Sequence, residues 1–464
     1  MINHIHLLNV IILRNYKVVY KLIRSAKECA MPIQTSRLQL EPRVIRPVAD
    51  PLGLFIRVGR NDHVELLSLI AQGHPQCFGF VFEAPLLTRH RELRDLVLKH
   101  RFDAILDPRT QPAATLGGHT REIAELPWGK DVPHTIDDFR GSRGRRIASL
   151  LAHCVVKHGF TEVLAPTHLL QSSADDWLTA DRDSTLWLRE ELDAAGANDV
   201  QILYSLTIPY AAFRDAAERR ALVLTLRRLP INALWLRVEG LGSDATSNGV
   251  RNYIEGARDF AALEVPIVAD GIGGLAGLVL MAFGAAGGMS HGVTFGERVD
   301  HSSWRQARAP SGFGPTRRVY VPDLDLMIDP QTAAEFFSSS NRAQVFGCRD
   351  SHCCPRGLTD MLERRAHHFL VQRMKQVAQL GRVHVPLRAE RFLEEQLRPV
   401  TDYVVQATGL RIKNEKLKER LTGQRKRLDA LRVSLGELSR EGVRKPAASI
   451  LPKTRIAREL RAHP

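Results

Sequence analysis

Between residues 52 and 299 the chain alternates short apolar runs with polar turns and with stretches in which apolar residues recur three and four positions apart. The short runs predict buried strands, and the wider spacing predicts amphipathic helices. The candidate strands are 54–58, 78–82, 103–106, 162–165, 201–204, 233–238, 266–269 and 289–294. The candidate helices between them are 64–71, 91–99, 147–157, 187–195, 216–227, 250–263 and 275–283.

Regular alternation of a strand with a helix is typical of a parallel sheet, because parallel neighbours need a crossover connection between them. Eight strand–helix units within about 250 residues match the size of a (β/α)₈ barrel of the TIM type. We therefore predict such a barrel over residues 31–300, and a doubly wound open sheet is the structural alternative. Asn61 and Asp62 before the first helix, and Gly159 and Gly196 after two later ones, support the helix ends.

The connection at residues 108–144 is longer than the others and shows little periodicity. Long loops that follow barrel strands are usually lids or binding loops. The alternative is a structural cover packed by its own Leu126, Trp128 and Phe139.

Three segments follow the predicted barrel. Residues 301–409 are expected to form a Cys-containing helical appendage, residues 410–443 a coiled-coil-like helix, and residues 444–464 a disordered basic tail. Within the coiled-coil segment, leucines occupy heptad a and d positions, namely Leu417, Leu421, Leu428, Leu431, Leu435 and Leu438. Such a stripe predicts a homodimer through residues 412–440, or packing against the same chain.

Positive charge is concentrated at the two ends of the chain. The net charge is +14, and residues 410–464 carry sixteen Lys/Arg against six acidic residues, whereas residues 31–409 are balanced. A basic tail can bind phosphate backbones, so tRNA or DNA is the predicted partner, and a solvated tail is the alternative. Residues 1–30 are interpreted as a leader outside the fold, with Met31 as a possible start.

The apolar run at residues 6–13 is shorter than the roughly 20 residues that a membrane span needs, so we expect no integral membrane insertion. The chain has six cysteines and no convincing secretory signal. We therefore predict a reducing, cytoplasmic location without a disulfide framework. Cys77 and Cys154 lie in apolar runs and are expected to be small core residues.

Ionisable residues stand at the carboxyl ends of most predicted strands, where barrel enzymes carry their active sites. The candidate catalytic residues are Asp107, Glu239, Asp270 and His291. The candidate substrate-binding residues are Arg57, Arg60, Glu83, Arg109, His168 and Tyr204. Carboxylates serve as nucleophiles, bases or readers of a base edge, histidine carries protons, and arginine suits anionic groups. Taken singly, each residue could instead form a loop ion pair or a cap.

Glycines follow the last predicted strands. Gly271, Gly273 and Gly274 come after the seventh strand, a position at which barrels often hold phosphate with backbone N–H groups. Glycines at this position also simply permit tight turns. The segment is not a dinucleotide fingerprint, because Ala276 stands where the third glycine would be.

Three cysteines, Cys348, Cys353 and Cys354, lie close together after the barrel, and a pair of histidines follows on a predicted helix. Thiolate and imidazole groups at such short spacing predict a structural Zn²⁺ site. A redox-inert loop with a half-buried cysteine is the alternative.

A barrel followed by a cysteine cluster and by the pair His367-His368 resembles the tRNA-guanine transglycosylases and their relatives that insert deazaguanines into DNA. The segment Asp270-Gly-Ile-Gly-Gly-Leu is similar to a late-barrel segment of the family, and Asp107 stands at an early strand end, where the family has a substrate-reading Asp. The resemblance implies a structural zinc held by three cysteines and one histidine. Here these ligands would be Cys348, Cys353, Cys354 and His367, with His368 or His384 as alternatives for the histidine.

This chain also departs from the family's motifs. It lacks the Cys-x-Cys-x-x-Cys spacing, and Asp107-Pro-Arg-Thr-Gln111 replaces the Asp-Ser-Gly-Gly-Phe-Gln signature. Ser290-His291-Gly292 stands where the nucleophilic Asp is expected. The resemblance is therefore consistent with base exchange or with a derived activity.

Three functions follow as hypotheses. The first is a barrel enzyme that acts on a nucleobase or nucleic acid, with Asp107 for base recognition, Asp270 or Glu239 as nucleophile or base, and Arg57 and Arg109 for phosphate. The second is an enzyme for a small phosphorylated metabolite, held by the glycines. The third is a non-catalytic protein that binds nucleic acid or a protein partner.

Overall fold

The computed structural model describes residues 51–73, 76–298, 301–306 and 316–441, apart from the side chains of residues 302 and 303. Eight parallel strands form its centre: β1 Gly53–Arg57, β2 Gly79–Glu83, β3 Asp103–Asp107, β4 Glu162–Leu164, β5 Gln201–Pro209, β6 Ala233–Glu239, β7 Ile267–Asp270 and β8 Gly288–His291. Each strand pairs with its sequence neighbours, and β8 pairs with β1, so the sheet closes. The predicted (β/α)₈ barrel is confirmed, and the open-sheet alternative is wrong. The predicted leader and disordered tail lie outside the described residues.

Helices connect the strands, and each predicted helical segment overlaps one of them, although the segments predicted to begin at residues 147 and 187 begin at residues 141 and 176. The helices are α1 His63–Ala71, α2 Arg91–Lys99, α3 Thr110–Ala113, α4 Arg121–Ala124, α5 Gly141–His158, α6 Asp176–Ala194, α7 Tyr210–Arg214, α8 Ala216–Leu226, α9 Ser247–Phe260, α10 Gly274–Ala282 and α11 Ser302–Arg305. Helix α6 begins earlier than predicted because Asp175 caps it, accepting a hydrogen bond from the Trp177 N–H. Gly159 ends α5 with a φ of 67°, a conformation that glycine adopts at little cost.

The alternation of side chains along the strands positions the site. Inside the barrel, a separate apolar cluster contains Phe55, Val81, Ile105, Leu164, Leu203, Ala233, Trp235 and Val268. Because side chains on one face recur every second residue, the residues two positions further along these strands also face inward, at the carboxyl end. These include Arg57, Asp107 and Asp270. The opposite faces of the strands pack against the helices in the larger apolar core.

The long connection at residues 108–144 contains two short helices, α3 and α4, and a 3₁₀ turn at Ile136–Phe139. Its Trp128 and Phe139 are buried, and the Trp128 Nε1–H donates to the Pro108 carbonyl oxygen at 3.1 Å. Gly117, Gly118 and Thr120 line a cleft at the barrel mouth. The connection covers the barrel and also forms one wall of its mouth. It therefore has features of both predicted roles, a structural cover and a binding loop.

The appendage begins with a hairpin, β9 Val319–Val321 and β10 Leu326–Ile328. Its helices are α12 Pro330–Ser338, α13 Leu358–Glu363, α14 Arg365–Gly381, α15 Arg388–Phe392, α16 Arg398–Thr408 and α17 Glu415–Arg440. No helix in the described ranges combines the length and apolar composition needed to cross a membrane.

The leucine stripe of α17 packs within the chain. The six predicted heptad leucines are at most 2% exposed, and α17 contacts α9 of the barrel and α16 of the appendage. The stripe is therefore already covered and unavailable to a second α17. The predicted dimer through residues 412–440 would need this apolar surface, which is already buried. The alternative of packing against the same chain agrees with the structure.

Candidate functional site at the barrel mouth

Charged residues from four strands meet at the carboxyl end of the barrel. Arg57 Nη1 donates to Asp107 Oδ2 at 2.7 Å, and Arg57 Nε and Nη2 donate to the two oxygens of Asp270 at 3.0 and 2.8 Å. Arg237 Nη2 donates to Asp270 Oδ2 at 2.5 Å. The side chain of Asp270 is fully enclosed, whereas that of Asp107 is 14% exposed. Of these two carboxylates, Asp107 is the one that an entering molecule can contact.

The arginines hold both carboxylates in the charged form. Burial alone would raise the pKa of Asp270, but attraction to Arg237 and Arg57 outweighs it and lowers this pKa to about 2. Burial opposes ionisation of Asp107 too, yet Arg57 and Arg109 lower its pKa below the ordinary value. Both groups are therefore anions at neutral pH, which makes them hydrogen-bond acceptors and not proton donors.

Neutral polar groups lie beside this ionic network. Gln111 Nε2 donates to Thr207 Oγ1 at 3.0 Å and to Thr167 Oγ1 at 3.2 Å. Its Oε1 accepts a hydrogen bond from Arg237 Nη1 at 3.3 Å. The Gln111 amide is thus held by partners on β5, β6 and the segment after β4. Gln111, Thr167 and Arg237 line a recess of about 20 Å³ together with Asp107 and Trp304.

A wider cleft, of about 330 Å³, adjoins the recess and shares Arg109 and Trp304 with it. The Arg109 guanidinium lies 5.5 Å from the Trp304 ring centroid and 3.3 Å from Glu83 Oε1. Arg60 pairs with Glu122 at 3.3 Å across the outer rim, where both side chains are largely exposed. The predicted residues Arg60, Glu83 and Arg109 therefore line one cleft, and the Arg109–Trp304 pair separates it from Asp107.

Glu239 lies at the end of β6 in a second group of ionisable residues. Its carboxylate is 2.6 Å from Arg305 Nη2 and 3.3 Å from His301 Nδ1. Burial would raise the pKa of Glu239, but hydrogen bonds from His301 and Arg305 lower it. Burial also lowers the pKa of His301, so this imidazole is neutral at neutral pH. His301 Nε2 lies 3.5 Å from Arg237 Nη1, which connects the group to the Asp270 network.

His291, predicted as catalytic, does not face the mouth. Its neighbour Ser290 pairs with Phe55 and Asp270, two inward-facing residues, so alternation along β8 directs His291 outward. The His291 ring packs edge-on against Phe369 of α14, and its Nδ1 lies 2.9 Å from the Gly292 carbonyl oxygen. In this structure His291 contributes to the packing of the appendage on the barrel and cannot reach a substrate at the mouth.

His168 and Tyr204 are also outside the barrel lumen. His168 Nδ1 lies 2.6 Å from Asp181 Oδ1 on α6, and its ring stacks on Trp177 at 3.8 Å. Tyr204 follows the inward-facing Leu203 and therefore points into the helix layer, where it is fully buried. Burial and the nearby Asp181 raise the pKa of Tyr204 well above its usual range. Neither residue contacts the mouth, which differs from their predicted role in substrate binding.

The predicted phosphate cradle at Gly271, Gly273 and Gly274 is filled by the protein's own carboxylates. The Gly274 N–H donates to Glu297 Oε1 at 2.9 Å, and the Leu275 N–H donates to Asp325 Oδ1 at 3.1 Å. A Cβ on Gly273 would lie 2.3 Å from Glu297 Oε1, so glycine is required here for close approach of that carboxylate. Because Glu297 and Asp325 already satisfy the start of α10, the glycines do not offer these amides to a ligand.

The cysteine cluster converges as predicted, with a different histidine. Cys348, Cys353, Cys354 and His368 place one ligand atom each within 4.8 Å of one another. Cys348 Sγ is 3.5 Å from Cys353 Sγ, and Cys354 Sγ is 3.4 Å from His368 Nδ1. Ligand atoms about 2.0–2.3 Å from a tetrahedral Zn²⁺ stand roughly 3.5–3.8 Å apart, so the donor set fits this metal. His368 Nε2 lies 2.9 Å from the Tyr320 carbonyl oxygen, a contact that orients Nδ1 toward the cysteines.

His367, the histidine predicted as the fourth ligand, lies elsewhere. Its Nδ1 is 2.9 Å from Glu65 Oε1 on α1. Consecutive residues of a helix point about 100° apart, so only one of the two histidines can face the cysteines. The cluster could hold a metal such as zinc, with His368 in place of His367.

Several residues at the mouth were not among the predicted site residues. Arg237 is among the ionisable residues of the predicted strands, two positions before Glu239 in an otherwise apolar run, although no role was assigned to it. Gln111 lies in a loop without periodicity. His301 and Trp304 follow the last strand, and nothing in their local sequence indicates that they return to the mouth.

No protein-family model and no curated protein matches the chain. Solved structures with a similar fold include the intracellular xylanase TsXylA from Thermoanaerobacterium saccharolyticum, at 11% identity and a TM-score of 0.34 over 52% of this chain and 85% of that one. A second is the carboxyl transferase domain of Rhizobium etli pyruvate carboxylase, at 10% identity and a TM-score of 0.35 over 85% of this chain and 61% of that one. Similarity at this level carries no argument about function. The chain is a (β/α)₈ barrel, and its function has to be argued from its own residues.

Proposed function

We propose that the barrel mouth is the active site of an enzyme that acts on a nucleobase or on a base of a nucleic acid, by transglycosylase-like exchange or a derived activity. The supporting observation is that the ionised Asp107, the Gln111 amide and the Trp304 ring line one recess. A flat heterocycle with N–H and C=O groups on its edge is complementary to a carboxylate, an amide and an aromatic surface.

Within this proposal, Asp107 accepts hydrogen bonds from the N–H groups of the base. Arg57 keeps the Asp107 carboxylate ionised and fixed, and the enclosed Asp270 is a positioning residue that holds Arg57 and Arg237. The alternative of Asp270 as nucleophile is not retained, because its oxygens are enclosed and occupied by both arginines.

Glu239 and His301 form the proposed proton-transfer pair. His301 is neutral because burial lowers its pKa, so it can accept a proton. Its side chain is enclosed, with the Trp304 ring centroid 4.4 Å from its own, so contact with a substrate requires the displacement of Trp304. The ionised Glu239, 3.3 Å from His301 Nδ1, would stabilise the imidazolium that forms. Glu239 thus keeps the predicted role in base catalysis, exercised through His301.

The substrate is proposed to enter through the 330 Å³ cleft. The recess beside Asp107 has a volume of about 20 Å³, enough for a water molecule but not for a base. Arg109 and Trp304 line both cavities, so displacement of this stacked pair would join them. A base would then stack on Trp304 with its edge toward Asp107.

We further propose that the Cys348, Cys353, Cys354 and His368 cluster holds a structural Zn²⁺. The supporting observation is that the four ligand atoms lie within 4.8 Å of one another, with His368 Nδ1 at 3.6 and 3.4 Å from the sulfur atoms of Cys353 and Cys354. These residues would fix α14 to the hairpin through His368 and Tyr320 and take no part in chemistry at the mouth.

The test of the enzymatic proposal is incorporation of labelled guanine and 7-deazaguanine bases into tRNA and into DNA. Asp107→Asn should lower incorporation at least about a hundredfold, because the neutral amide presents a donor where the base needs an acceptor. Asp137→Asn, the same change at a side chain that is 63% exposed, should retain the wild-type rate. Equal rates for the two variants would contradict the role of Asp107.

Binding provides an independent measurement. Trp304 fluorescence should be quenched when a base stacks on it, and a Trp304→Leu variant should lose this response. A wild-type protein that binds none of a panel of purines, pyrimidines and deazaguanines would overturn the proposal.

A further inference from the structure

A separate cavity of about 350 Å³ lies beside the mouth, between the barrel and α17. Its walls come from the loops that follow β6 and β8, at residues 243–244 and 294–298, and from the β9–β10 hairpin and α17. Loops that follow barrel strands lie on the carboxyl face, so the cavity opens on the same face as Asp107.

The cavity contains more positive than negative charge. Its acidic residues each have an arginine partner: Arg298 pairs with Asp244 at 2.5 Å, Arg373 with Glu297 at 2.7 Å, and Arg427 with Asp325 at 3.1 Å. Among the described residues, no carboxylate lies within ion-pair distance of the two other arginines in its lining, Arg318 and Arg420. Neither guanidinium therefore has an ion-pair partner among the described residues, and the carboxylate of Asp329 attracts Arg420 only from a greater distance.

Both arginines are held in place by contacts that leave donors free. The Arg318 guanidinium lies 5.7 Å from the Phe295 ring centroid. Arg420 Nη2 donates to the Met327 carbonyl oxygen at 2.8 Å. A guanidinium has five N–H donors in a planar fork, so several remain for a ligand.

We infer that Arg318 and Arg420 bind a backbone phosphodiester of the nucleic-acid strand whose base enters the barrel mouth. This inference rests on the proposed function. Bidentate arginine contacts match the geometry of phosphate oxygens. The ligand is a strand, and not an isolated phosphate, because α17 continues the positive surface, with eight Lys/Arg against four acidic residues between 415 and 440.

Two further observations agree with an anion at this position. Partial burial and repulsion from Arg318 lower the pKa of Arg420 against the attraction of Asp329, and a bound phosphate would offset this repulsion. The start of α10 cannot supply phosphate-binding amides, because Glu297 and Asp325 occupy them. Side chains must therefore provide the phosphate contacts on this part of the carboxyl face.

The test is the affinity for a fluorescent single-stranded oligonucleotide, measured by anisotropy between about 50 and 300 mM KCl. Arg318→Gln/Arg420→Gln should weaken binding about tenfold or more, and should reduce the salt slope by about 0.7, the value for the one phosphate charge that the protein no longer neutralises. The matched control is Arg227→Gln/Arg228→Gln, which removes two exposed arginines between α8 and β6, at the amino end of the barrel. An equal loss in both double variants, or no loss in the first, would overturn the inference.

The other outcomes distinguish failure of the phosphate site from failure of the proposed function. Tight binding of pyrophosphate or a mononucleotide, lost in Arg318→Gln/Arg420→Gln, together with no oligonucleotide binding would assign the cavity to a small phosphorylated ligand and refute the strand. Base exchange and oligonucleotide binding are measured separately. Oligonucleotide binding through these arginines without any base exchange would therefore refute the proposed function but not the phosphate site. Intact exchange with an unaffected double variant would refute the phosphate site alone.

Discussion

Arg373 and Glu297 join the appendage to the barrel through an enclosed ion pair. Arg373 Nη2 on α14 lies 2.7 Å from Glu297 Oε1, with 0% and 7% of the two side chains exposed. The same oxygen accepts the Gly274 N–H at the start of α10. The Arg373 guanidinium also lies 4.7 Å from the Tyr320 ring centroid. A single pair thus connects the C-terminal helices, the hairpin and the loop after β7, which makes the appendage part of the barrel's structure.

Loss of Arg373 should destabilise the whole fold. Arg373→Met leaves the Glu297 charge buried without its partner, and we expect the free energy of unfolding to fall by about 3–5 kcal/mol in urea denaturation. Arg373→Met/Glu297→Gln should recover part of this loss, because no buried charge then remains. Arg391→Met, at a side chain that is 58% exposed, should change stability by less than about 1 kcal/mol. A comparable cost for the two single variants would show that the pair does not support the fold.

Replacement of the enclosed Asp270 carboxylate should lower the free energy of unfolding by an amount that depends on pH. Asp270→Asn leaves Arg237 without its carboxylate partner and Arg57 with Asp107 alone, and the free energy of unfolding should fall by about 3 kcal/mol or more at pH 7. The folded-state pKa of Asp270 is about 2, below its ordinary value of 3.8. A lowered pKa stabilises the fold above the unfolded-state value, and this contribution is lost as pH falls through the folded-state value.

The difference between the wild type and Asp270→Asn should therefore stay constant from pH 7 to about 5 and narrow below pH 4. Asp137→Asn should match the wild type throughout. Urea denaturation at each pH measures this difference in the free energy of unfolding. A difference that grows as the pH falls would contradict the lowered pKa of Asp270 in the folded protein.

Adjacent histidines provide a sharp test of the metal site. Elemental analysis of the purified protein should find about one zinc per chain. His368→Gln should lose most of the metal, because this ring faces the three cysteines. His367→Gln should retain it, since His367 pairs with Glu65. Equal metal content in both variants, or none in the wild type, would argue against the proposed ligand set.

The covered leucine stripe of α17 predicts a stability that does not depend on dimerisation. Leu428→Ala creates a cavity at a fully buried position and should lower the free energy of unfolding by about 2–4 kcal/mol. Val433→Ala, at a residue that is 62% exposed on the same helix, should cost less than about 0.5 kcal/mol. The Tm of the wild type should stay the same when the protein concentration is varied about a hundredfold, whereas the Tm of an obligate dimer depends on concentration. A Tm that rises with concentration would restore the dimer hypothesis.

Much of the site could be predicted because strand ends are local features. Placing Asp107 and Arg57 at the mouth required only the strand boundaries and the two-residue alternation of side chains. The same alternation, applied from Ser290, would have excluded His291. Tyr204 is excluded in the same way, because it directly follows the inward-facing Leu203. His168 lies four residues beyond the end of β4, where the alternation of a strand no longer fixes the direction of a side chain.

The sequence by itself determined the barrel, because the spacing of apolar residues within each short segment predicts its strand or helix. It also determined which cysteines cluster, because they lie within one short segment. Only the tertiary structure decided which charges pair: Arg57 and Asp270 are 213 residues apart, and Arg373 and Glu297 are 76 apart. It likewise decided that Glu297 fills the glycine loop and that α17 packs on its own chain. These contacts join segments that are far apart in the sequence. Their distances are set by the folded chain and cannot be predicted from the pattern of either segment.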